Sequence, residues 1–246
     1  MPTFSADTSV RDIVNQDFRA AALFEARGID FCCGGGKTLA EACAASGADG
    51  ATVLRELASL GDVEPAAAPR FTSWEPDFLA DYIEANHHAY VRGSLETIRA
   101  HTRKVAEKHG ANHPEVVEIA RLFEGVAQEL THHMMKEEHI LFPHIRDLAV
   151  QARAGRPAPP SPFGTVRNPI RMMEMEHESA GAAMHRIRDL SAQFAPPPDA
   201  CATYRVTYQE LQEFERDLHQ HIHLENNILH PRAIALESGA ARQGER

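Results

Sequence analysis

The chain has 246 residues, 43% of them hydrophobic and 24% charged, and a formal net charge of −10. That length supplies core for one large or two modest domains, and the acidic balance argues against a nucleic-acid or anionic-membrane surface. No apolar run approaches the roughly 20 residues that cross a bilayer.

Met1 to Asp7 holds no basic segment followed by an apolar run, so no secretion signal is expected. Ser9-Val10-Arg11-Asp12 has the spacing of a helix start. A helix is predicted through Ile13, Val14, Phe18, Ala22 and Leu23, stopped by Gly28. Next comes Asp30-Phe31-Cys32-Cys33-Gly34-Gly35-Gly36-Lys37, a loop. Thr38 to Glu41 is a second capping box, opening a short helix that ends near Gly47, and Asp49 to Leu60 reads as another. These residues, 1–60, are expected to form a small N-terminal helical domain, and 61–75 a linker. The other cysteines, Cys43 and Cys201, are scattered. No disulfide framework follows, and a cytoplasmic, reducing location is expected.

From 76 to 236 the periodicity predicts a four-helix bundle. One helix runs from Pro76 to Gly110, and a second from Pro114 to Pro143, which kinks or ends it. A Pro-rich break covers 151–165, a third helix starts at Asn168-Pro169, and a fourth runs from about Tyr204 to Pro231. The fold class is all-α.

Fifteen histidines against one Trp and four Tyr set the chain apart. His133 to Pro143 and His221 to Pro231 both read H-x-x-x-E-x-x-I-L-x-P, 88 residues apart. His and Glu four apart share a helix face, which suits an imidazole and a carboxylate on one metal. His88 and His177 precede the two copies at a matching offset. The inventory is four imidazoles, His88, His133, His177 and His221, and two carboxylates, Glu137 and Glu225. Facing helices of carboxylate-bridged di-metal bundles supply such sets. The alternative is a duplicated bundle with satisfied core histidines, but it buries two anions at several kcal/mol each without a cation. Imidazole plus carboxylate without thiolate suits iron or manganese.

The remaining histidines, His87 and those beside the motifs, are expected mostly at the surface or rim, some of them orienting ligands. His109, 21 residues past His88, is about 31 Å away on an unbroken helix and is left out. The Cys32-Cys33 pair, in a glycine loop with Lys37 nearby to favour thiolate, is expected to be accessible and to do redox or metal-transfer chemistry.

These motifs resemble the repair of iron centres family, the iron–sulfur cluster repair di-iron proteins of YtfE/ScdA type. Asp30-Phe31-Cys32-Cys33-Gly34-Gly35 is similar to that family's short Cys-Cys domain, and His133 to Pro143 to its hemerythrin-like signature. The resemblance implies two non-haem iron ions, oxo- and carboxylate-bridged, with the four histidines terminal and Glu137 and Glu225 bridging. It implies repair of iron–sulfur clusters damaged by nitrosative or oxidative stress, by iron donation. Damaged iron–sulfur proteins would be the partners and nitric oxide or O2 the small ligands, with the chain a monomer or homodimer. A nitric oxide reductase or peroxidase-type enzyme and a hemerythrin-like O2/NO sensor are the alternatives. His230 departs from the pattern, standing where the first copy has Phe142.

Overall fold

The computed structural model describes residues 4–60 and 69–239. Most of the expected linker, 61–68, and the tail from 240 lie outside the described residues. Four short helices come first: α1 (Val10–Gln16), α2 (Arg19–Ala26), α3 (Leu39–Ser46) and α4 (Gly50–Leu60). The single helix expected up to Gly28 is two, because the chain extends at Asp17 (φ −145°) and the Asp17 carboxylate accepts from the Arg19 N–H at 3.0 Å, restarting the helix there. The Thr38/Glu41 capping box forms, and Gly47 closes α3 at φ 73°. Among the described residues there is no strand, only an isolated bridge between Ser9 and Thr38.

The bundle follows: α5 (Pro76–Tyr82), α6 (Ala89–His109), α7 (Glu115–Lys136), α8 (Phe142–Arg153), α9 (Arg167–Leu190), α10 (Ala202–Leu224) and α11 (His230–Ser238). Three junctions are π turns: Ile83–His88, Glu137–Leu141 and Glu225–Leu229. The expected kinks at Pro143 and Pro231 are therefore continuations. Each proline sits in the first turn of the next helix, where its missing N–H costs little. The π turn just before it absorbs the break, with the Phe142 and His230 N–H groups donating five residues back to the Glu137 and Glu225 carbonyls.

Packing closes a ring in which α6 lies beside α7 and α10, and α9 beside the same two. The amphipathic faces build two separate apolar clusters. One joins α1–α4 to the α6, α7, α9 and α10 core around Ile98, Phe123 and Phe214. The other, around Leu79, Ile83, Phe142 and Leu229, is made by α5, α8, α11, the start of α9 and the three π turns. No described helix is long and apolar enough to cross a membrane.

Candidate metal centre

Between those apolar clusters lies a buried layer of six polar side chains. His88, Glu137, His221 and Glu225 are completely buried, and His133 and His177 are 1% exposed. They form two overlapping quartets, His88/Glu137/His221/Glu225 and His133/Glu137/His177/Glu225, each with donor atoms within 4.8 Å of one another. Both carboxylates belong to both quartets. Each quartet takes one histidine from each half of the chain.

The atoms facing inward are the Nε2 nitrogens. His88 and His133 place theirs 3.3 and 3.2 Å from Glu137 Oε2. His177 and His221 place theirs 3.0 Å from Glu225 Oε2 and Oε1. The Nε2 pairs meet at 3.2 Å (His88 with His221) and 3.0 Å (His133 with His177). On the outer side, His88 Nδ1 meets Glu138 at 2.7 Å, His133 Nδ1 meets Glu176 at 2.9 Å and His177 Nδ1 meets the Asn226 side-chain oxygen at 2.9 Å. An acceptor at Nδ1 puts the ring's proton there and leaves a lone pair on Nε2. Arg92 and Lys136 in turn hold Glu138 and Glu176.

Positive charge is therefore favoured between His133 and His177, whose Nδ1 atoms both have acceptors, and the same layout recurs at His88 and His221. Both Glu137 oxygens and Glu225 Oε2 are buried with no partner beyond these imidazole nitrogens, which fits two metal ions and fits a sealed apolar core poorly. Without metal, protons take that place. Burial pushes His88 down, but hydrogen bonds to Glu137 and Glu225 raise it to about 10. Burial likewise opposes His133, and the Glu137 charge raises it to about 9. Burial and the Glu225 charge work against ionised Glu137, yet His133 and His88 hold it near 2.

His132 and His139 are exposed and His219 partly so, as expected of rim histidines, but four others are corrected by the structure. His87, His144, His223 and His230 are buried, at 3, 7, 1 and 0% exposure. His87 bonds Asp217 at 2.9 Å and stacks on His221 at 5.6 Å, holding the one inner histidine whose Nδ1 has no partner. Phe142 stacks on His88 (5.6 Å) and His230 on His177 (6.3 Å), so the two sequence-equivalent positions make equivalent walls. Burial lowers His230 to about 4, so it is a neutral ring. His109 ends the unbroken α6 and contacts Cys201 Sγ at 3.2 Å, away from the centre.

Cys32 is buried and Cys33 partly so, which corrects the expectation of an open loop. The Asp30 carboxylate gathers the N–H groups of Cys32, Cys33 and Gly34 at 2.8–3.0 Å and accepts from the Cys32 thiol at 3.3 Å. The neighbouring Cys33, then burial, then Asp30 raise the Cys32 thiol well above its ordinary value, so the effect expected of Lys37 is overridden. Cavities of about 370 and 220 Å³ border the pair, the smaller one also lined by Asn226 and Asn227. Asp30, Cys32 and Cys33 form a third group with metal-ligand geometry.

Residues 80–233 match the family of the hemerythrin HHE cation binding domain, and residues 6–61 match ScdA_N, a domain of unknown function. The chain is 37% identical over 223 residues to the iron-sulfur cluster repair protein YtfE of Cronobacter sakazakii, covering 89% of this chain and 92% of that one. The proteins of that name from Citrobacter koseri and Musicola paradisiaca are also 37% identical, over 89% of this chain and 93% of theirs. The chain belongs to the iron–sulfur cluster repair family with a hemerythrin-like domain. The cofactor of the hemerythrin-like bundle is a pair of non-haem iron ions, and the buried His/Glu layer fits it. What sequence spacing missed in this repair-family chain are the outer partners Glu138, Glu176 and Asn226. Each adjoins a proposed ligand or a position next to one, and that adjacency was the available signal.

Proposed function

We propose that His88, His133, His177 and His221 hold two iron ions at Nε2, that Glu137 and Glu225 bridge them, and that the chain repairs damaged iron–sulfur clusters by giving up that iron. The observation that carries this reading is the pair of quartets sharing both carboxylates, with bare imidazole nitrogens face to face at 3.0 and 3.2 Å. Such a set binds a labile divalent metal while leaving positions for a small ligand. When bound, the iron supplies redox and ligand-exchange chemistry. The chain supplies orientation through Glu138, Glu176 and Asn226, and dryness through Phe142 and His230.

Cys32 and Cys33 are the transfer group, each giving up its thiol proton, Cys32 toward Asp30, as iron binds on its way to a damaged iron–sulfur protein. Nitric oxide and O2 are the small molecules suited to the centre, and the cytoplasm is the compartment suited to free thiols. The test is metal analysis of the purified chain, then incubation with a cluster-depleted acceptor while isotopically labelled iron is followed. Iron moving to the acceptor, and far less of it from the Cys32→Ala/Cys33→Ala variant at equal iron content, supports donation. Retention of all the label through many cycles of nitric oxide consumption would mark an enzyme instead.

A further inference from the structure

Three successive residues of the Glu225–Leu229 π turn face three different things. Glu225 reaches both metal quartets. Asn226 holds His177. Asn227 leaves the bundle: its Nδ2 donates to the main-chain carbonyls of Phe31 (3.2 Å) and Cys32 (2.9 Å). The fit is close. A Cβ on Gly35 would stand 2.6 Å from Asn227 Oδ1 and 2.7 Å from the Phe31 carbonyl, so the loop approaches this way only with glycine there. Pro231 has no N–H to offer the Asn227 carbonyl four residues back, and that carbonyl faces Asn15 Nδ2 at 3.5 Å.

We propose that Asn227 is a positioning residue through which occupation of the His/Glu centre controls exposure of the Cys32–Cys33 pair. This rests on the metal reading above. A π turn carries one residue more than α geometry allows, and such turns persist where a functional contact holds them. Glu225 is that contact: its Oε1 and Oε2 lie 3.0 Å from the Nε2 atoms of His221 and His177. With the centre filled, Glu225 is anchored, the turn is kept and Asn227 grips the loop. With the centre empty, Glu225 loses that anchor, the turn is held by Pro231 alone, and the grip of Asn227 on the loop loosens. The N-terminal helices stay docked through His219–Glu25 (3.0 Å) and Asn15–His223 (3.1 Å), so the release is local. Thiols are thus covered while the centre is full and freed as its iron leaves.

The experiment is anaerobic alkylation by iodoacetamide of the full chain, loaded with ferrous iron or stripped by chelator. It is read by mass spectrometry on the peptide carrying Cys32 and Cys33. Two hydrogen bonds to the loop correspond to about tenfold slower labelling in the loaded wild type. Asn227→Ala should take up the same iron yet label at the stripped rate in both states. Gly35→Ala, which parts the same contact from the other side, should do likewise and decides the matter if Asn227→Ala binds less iron. Equal wild-type rates with and without iron, or a metal-dependent rate surviving in the deciding variant, overturn the inference. A wild type that takes up no iron overturns the metal reading itself.

Discussion

The Nε2 atoms of His133 and His177 face each other at 3.0 Å although each ring's Nδ1 already has an acceptor. Two lone pairs held that close repel unless a positive charge lies between them. The layer is thus poised for cations, with four rings paired off across the bundle and two carboxylates serving both pairs.

Glu137→Ala or Glu225→Ala is expected to lose most bound iron, since each carboxylate belongs to both quartets. Iron per chain by elemental analysis is the check, and a full complement in either variant would remove the bridging assignment.

Glu176 fixes the proton of His133 from outside the centre. Its replacement by Ala should weaken iron binding by about 10- to 100-fold while the fold persists. Competition against a ferrous chelator measures this, and an unchanged affinity would refute it.

His230 keeps both ring nitrogens buried and unpartnered. His230→Phe copies the Phe142 wall of the first motif and removes that burden, so the variant should retain iron and gain about 1–3 kcal/mol of stability. Denaturant unfolding decides it, and a loss of iron would give His230 a binding role.

The metal-free chain should be most stable near pH 6.5. His223 and His230 are lowered to about 4 by burial. Unfolding lets them take up protons, so stability falls as pH drops from 6.5 toward 4. His88 and His133, raised to about 10 and 9 against burial by Glu137 and its partner carboxylate, contribute stability in full below 6.5. That contribution is lost as pH rises through 9 to 10. Iron replaces those protons, so the alkaline limb should flatten in loaded protein. Melting temperatures across pH with and without iron test this, and parallel alkaline limbs would contradict it.

Much of the bundle was legible because apolar spacing and a repeated H-x-x-x-E are periodic signals. The π turns were not. Replacing a four-residue bond by a five-residue one leaves the composition of His133–Pro143 unchanged, and only the demand of Glu137 on a shared centre reveals it. The burial of His223 and His230 was hidden for a related reason. A histidine beside a motif reads as polar, whereas here Phe31 packs on one and the other packs on His177. The break at Asp17 was missed because a carboxylate two residues ahead of an N–H is a weak local signal within a helical pattern. The joining of the Cys loop to the bundle rests on contacts nearly 200 residues apart in sequence, Phe31 on His223 and Asn227 to Cys32 among them, and no periodicity encodes these.

Each quartet draws His88 with His221, or His133 with His177, from opposite halves of the chain. A ribosome-bound chain that has not yet released Glu225 therefore completes neither quartet, and a fragment ending at the Pro-rich break holds only two members of each. With the proposed ligands, capture of iron would then wait for the end of synthesis, and only finished chains would close the cage.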